Sequence, residues 1–135
     1  MPFHITASPD GPKETDKSII VLSCKDRPFP EKLPAEVTIP LGQKLEGLAF
    51  LHGCAYSGSD TMIGLYQVQY ADGGKVDIPL YGDVNIRDWI GTPSLLPREK
   101  GTSSAVAWTG SCKMFPGGIA VYRMIWVNPR PDVQI

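Results

Sequence analysis

Short apolar stretches alternate with polar and turn-forming residues along the chain, and none keeps a helical period for long. Ser18-Ile19-Ile20-Val21-Leu22-Ser23-Cys24 is rich in β-branched residues and short enough for a buried strand. A proline-studded connection from Arg27 to Pro34 follows, and Glu36-Val37-Thr38-Ile39 then alternates until Pro40 stops it. Gly47-Leu48-Ala49-Phe50-Leu51-His52 predicts a further strand, leading into a glycine- and serine-containing loop from Gly53 to Asp60. The strongest local signal is a hairpin. Leu65 to Tyr70 alternates, Asp72-Gly73-Gly74 suits the positive φ angles of a tight turn, and Lys75 to Leu80 alternates again. Ala105-Val106-Ala107-Trp108 and Ile119 to Val127 predict two more strands, the last apolar on both faces as at the centre of a sandwich. Val84 to Ile90 is the one segment that could hold a helical turn, and Gly91-Thr92-Pro93 ends it.

About seven short strands separated by turn signals predict an all-β sandwich or barrel. The 135 residues fit one domain spanning the whole chain, with no repeat, low-complexity tract or linker to divide it. A chain of this size buries roughly two thirds of its unfolded surface, so its core needs no staple. A net charge of −1 supplies no basic face for nucleic acid, and no basic amphipathic helix offers itself to acidic lipid. Neither is an expected partner. No apolar stretch approaches the roughly 20 residues of a membrane span, and Met1 to Ser8 lacks the basic-then-apolar plan of a signal peptide.

Candidate chemistry is sparse. Cys24, Cys54 and Cys112 are an odd set without CxxC spacing, which disfavours a zinc site. Cys24 reads as a buried free thiol, and a Cys54–Cys112 bridge is left to geometry. Of the two histidines, His4 lies in the terminal segment and His52 at a strand end, where a structural hydrogen bond is the expected role. Tyr56-Ser57-Gly58-Ser59 carries serines but no strand-to-helix elbow to expose a nucleophile. No glycine loop opens a helix to cradle phosphate. Asp72 is explained by its turn and Asp77 by a solvent-facing strand position. Asp83 and Asp88 stay open: turn-capping, a structural calcium without an EF-hand pattern, or a carboxylate pair for glycosidase work. No other cofactor is expected.

Aromatics beside turns are more suggestive. Trp89 follows Asn85-Ile86-Arg87-Asp88, Trp108 precedes Thr109-Gly110, and Trp126 precedes Val127-Asn128-Pro129-Arg130. An indole stacks on the apolar face of a sugar ring while amide and guanidinium groups bond its hydroxyls. Trp108 and Trp126 are read as core, and Trp89 as the platform, with Asn85 and Arg87 as hydroxyl partners, Asp88 beside them and Tyr81 as a second wall.

An ordered series runs through Phe50-Leu51-His52, Gly64-Leu65-Tyr66 to Asp72-Gly73, Asp77-Ile78-Pro79-Leu80, Asn85-Ile86-Arg87-Asp88-Trp89, Ala107-Trp108-Thr109-Gly110 and Trp126-Val127-Asn128-Pro129-Arg130-Pro131. It resembles the non-catalytic β-sandwich modules of galactose-binding-like type attached to secreted bacterial glycoside hydrolases, from about Pro2 to Ile135. The resemblance implies a jelly-roll sandwich and a carbohydrate-binding or accessory role beside a catalytic domain, hence an extracellular setting within a longer protein, with polysaccharide or oligosaccharide as partner. Similar modules continue past the Asn-Pro-Arg-Pro motif into another apolar strand, which this chain lacks before Ile135. A structural or protein-docking domain, and a small carboxylate-dependent glycoside-active enzyme, are the two alternatives.

Overall fold

Alternation becomes structure only where a strand finds a partner. The computed structural model describes residues 19–23, 33–93 and 102–135, and the chain divides into two compact units, Met1–Pro40 and Leu41–Ile135. In the first, the Ser23 N–H donates to the Pro34 carbonyl at 2.8 Å. The strands expected over Ser18–Cys24 and Glu36–Pro40 do not form among its described residues. Ile19, Ile20, Val21, Leu22, Val37 and Ile39 are all exposed there; β-branched runs have strand propensity, but propensity without a ladder and a covered face makes no strand. His4, Cys24 and most of the Arg27–Pro34 connection lie outside the described residues.

The second unit holds five strands: β1 (Gly47–His52), β2 (Met62–Gln69), β3 (Lys75–Tyr81), β4 (Thr102–Cys112) and β5 (Phe115–Val127). They make two antiparallel sheets, one in the order β1-β5-β4 and one of β2 and β3. Among the described residues there is no helix, and so none long and apolar enough to cross a membrane. The expected helical turn at Val84–Ile90 is instead a non-helical turn and a set of isolated bridges.

The hairpin forms as its alternation predicts. Gln67 donates to Asp77 on its outward face at 2.9 Å, while Tyr66, Val68, Ile78 and Leu80 point inward. At the turn Gly73 takes a φ of 87°, the left-handed region that glycine enters without a Cβ clash. The Asp72 carboxylate accepts the Gly74 N–H at 3.0 Å. A second hairpin joins β4 and β5 through Lys113 and Met114, with Cys112 opposite Phe115. The central strand β5 buries Ala120, Tyr122, Met124 and Trp126 on one face. Register sets Leu48, Phe50 and His52 of β1 beside Trp126, Met124 and Tyr122 on that same face.

The two inward faces meet in one core of Val68, Tyr70, Ile78, Leu80, Ile86, Met124 and Trp126. Phe50 of β1 stacks on Tyr66 of β2 with ring centroids 4.0 Å apart and planes within 6°, so the layers touch directly. The architecture is all-β and sandwich-like. One end is closed by the Asn-Pro-Arg motif. Buried Asn128 accepts from the Tyr70 hydroxyl at 2.5 Å and donates to the Leu45 carbonyl at 2.7 Å. Arg130 pairs with Asp72 and lies over the Tyr70 ring. Beyond it the chain forms no strand; the Ile135 carbonyl accepts from Gly42, the Gln134 carbonyl from Ala71, and Val133 and Ile135 pack against the core.

Candidate functional site

The opposite end is closed by two loops, 53–60 and 82–91, joined largely through their main chains. The Cys54 N–H donates to the Arg87 carbonyl at 3.0 Å and the Trp89 N–H to the Cys54 carbonyl at 3.0 Å. The Asp60 N–H reaches the Gly82 carbonyl at 2.8 Å. Gly82 permits this approach, because a Cβ there would sit 2.1 Å from the Gly58 carbonyl oxygen. The longer loop is also tied to β5: the Ala120 N–H donates to the Trp89 carbonyl at 2.8 Å, and the Tyr122 hydroxyl to the Asp88 carbonyl at 3.3 Å.

Asn85 is the internal anchor of this loop. Only 1% of it is exposed. Its Oδ1 accepts the Tyr81 N–H at 2.8 Å and its Nδ2 donates to the Pro79 carbonyl at 2.9 Å. Its own carbonyl accepts from His52 Nε2 at 3.0 Å. A carbonyl only accepts, so Nε2 carries the proton and Nδ1 takes the Tyr66 hydroxyl hydrogen at 3.0 Å. Both ring nitrogens are engaged, as expected of a structural histidine. Burial holds the His52 pKa down to about 4, against a smaller upward pull from the Asn85 carbonyl. Asn85 is therefore corrected as a hydroxyl partner: both halves of its amide serve the loop, and its side chain does not reach the surface.

The two carboxylates are likewise occupied. Asp83, at a φ of 60°, pairs with Arg87 Nε at 3.1 Å. Asp88 receives the Tyr56 N–H on Oδ2 at 2.7 Å and the Ile90 N–H on Oδ1 at 3.0 Å. For Asp88 this is the turn-capping role. Among the described residues no three His, Cys, Asp or Glu side chains gather into a metal-holding group. Cys54 and Cys112 are both free thiols. Burial pushes the Cys54 thiol up to about 11, opposed by a hydrogen bond with Ser57 and reinforced by Asp88 and Asp83, which favours the protonated thiol at neutral pH.

Trp89 is 39% exposed, with its ring edge-on to Phe115 at 5.2 Å. Arg87 stands two residues before it, half-buried. Tyr81 is half-buried on the outward face of the hairpin, in register with Met62, whereas the Trp89 carbonyl is bonded by Ala120 of β5. Trp126 is core, as expected, but Trp108 is 55% exposed on the outward face of β4, which corrects its core reading. A residue not singled out in the sequence is bonded to the residue before Trp89: Tyr56, 66% exposed, whose N–H the Asp88 carboxylate accepts. Its position follows from a contact 32 residues apart, which no local pattern announces. Compared with known proteins, the chain matches no family model, no curated protein and no solved structure.

Proposed function

We propose that this chain is a non-catalytic carbohydrate-binding module of jelly-roll, galactose-binding-like type, an extracellular accessory to a larger polysaccharide-degrading enzyme. The observation that carries the reading is Trp89: a partly exposed indole on a loop whose flanking main chain is bonded on both sides. Such a platform meets a sugar ring without first losing loop entropy, which favours affinity. Arg87 beside it supplies guanidinium donors for hydroxyls, oriented by Asp83. A neutral glycan suits a chain of net charge −1, which has no excess of charge to attract a polyelectrolyte. Affinity electrophoresis in soluble polysaccharides, followed by calorimetry, tests the reading. Binding that falls at least tenfold in Trp89→Ala is expected. No binding to any glycan, or an unchanged affinity in that variant, removes the assignment.

A protein-docking role is the second reading, favoured by one observation. The outward face of β1-β5-β4 exposes Leu51, Trp108 and Val127 around Arg123, and exposed apolar side chains gathered on one face mark interaction surfaces. Protection of β4 amides from hydrogen exchange on adding a partner catalytic domain, with no glycan bound, would favour it.

A further inference from the structure

We infer that Tyr56 is the second aromatic contact of the Trp89 surface, so that the ligand is an oligosaccharide of at least two sugar units. The inference rests on the carbohydrate-binding reading and deepens it. Tyr56 holds a φ of 59°, the left-handed region, where a bulky side chain is strained and glycine is not. Strain of this kind persists where the surroundings over-determine it, and it gathers at functional positions. Burial does not account for the tyrosine, since most of it faces solvent.

The Asp88 carboxylate supplies the over-determination. One oxygen holds the Tyr56 N–H at 2.7 Å and the other the Ile90 N–H at 3.0 Å, so a single side chain fixes the backbone beside each aromatic. The Cys54 carbonyl holds the intervening Trp89 N–H at 3.0 Å. The hydrogen bond to the Asp88 side chain, the length of that side chain and one residue step of about 3.8 Å keep the Tyr56 and Trp89 Cα atoms within roughly 12 Å of each other. Two aromatic side chains rooted at neighbouring points of the joined loops can each face one ring of a linked pair. Asp88 thereby acts as a positioning residue, its oxygens serving the two loops.

The experiment is calorimetry with β-1,4-linked gluco-, xylo- and galacto-oligosaccharides of one to four units, on the full chain and on Tyr56→Phe, Tyr56→Ala, Tyr56→Gly and Asp88→Asn. For the wild type, affinity should climb at least tenfold from the monosaccharide to the trisaccharide. Tyr56→Phe should stay within twofold of wild type at every length. Tyr56→Ala should lose the climb while keeping the monosaccharide affinity, and Tyr56→Gly should do the same while melting no lower than wild type. Asp88→Asn, which turns one acceptor into a donor, should also flatten the ladder. If Trp89→Ala abolishes binding but Tyr56→Ala climbs like wild type, the inference falls and the carbohydrate reading stands. A wild type that binds no member of the ladder and no polysaccharide overturns both.

Discussion

Protonating His52 should cost the fold about 3 kcal/mol, because its neutral form is the one the structure accommodates. The imidazole donates through Nε2 to Asn85 and accepts through Nδ1 from Tyr66; an added proton on Nδ1 would face the tyrosine hydrogen and place a charge where burial disfavours it. Its pKa falls from 6.5 to about 4 on folding. That difference corresponds to about 3.4 kcal/mol at 1.36 kcal/mol per unit, an upper figure for a half-buried ring. The folded pKa lies below the unfolded one, so the unfolded chain binds more protons between them. The stability is thus complete above the unfolded value and is lost as pH falls towards the folded one, with about 2 kcal/mol gone near pH 5. Urea unfolding followed by tryptophan fluorescence at a series of pH values measures this loss. His52→Gln, whose amide can donate to Asn85 and accept from Tyr66, supplies the background of the carboxylates. Wild type should lose about 2 kcal/mol more than the variant between pH 7.5 and pH 5. NMR titration of the histidine ring protons reads the same quantity without a variant. Two histidines that both titrate near the ordinary value, or parallel pH profiles for wild type and variant, would refute the reasoning.

Asn128→Ala should cost about 3 kcal/mol, since it strips partners from the buried Tyr70 hydroxyl and the Leu45 carbonyl; a loss under about 1 kcal/mol in urea would show these groups finding other partners. Alkylation near pH 8 should label Cys112 well before Cys54, because one thiol is exposed and the other half-buried with its pKa pushed up to about 11. Peptide mapping reads the order, and labelling of Cys54 first would contradict the loop packing.

The hairpin was legible because its signal is local: alternation on both sides of Asp72-Gly73-Gly74 sets partner and register together. The turn between β4 and β5 was not, since Lys113-Met114 carries no glycine while Pro116-Gly117-Gly118 just beyond it looks more like a turn. β5 consequently begins at Phe115, four residues before the apolar run that advertised it. The strands expected near the start of the chain show the opposite error, apolar residues with no ladder among those described. At the candidate site, Trp89 could be picked out by its polar, turn-rich neighbours. Asn85 could not be told from a ligand-binding amide, because burial depends on how the loop folds over His52. Tyr56 gave no sign at all; its partner lies in the other loop.

The two loops are joined mostly by peptide groups, with Cys54 answering Arg87 and Trp89, and Trp89 answering Ala120. Peptide groups are the same whatever side chain a residue bears. Positions 56, 87 and 89 can therefore change identity while the bonds that hold them keep their places. Display and framework become separable, so that ligand preference can be altered by substitutions at these three positions, provided the Asn85 and Asp88 contacts beneath them are left intact.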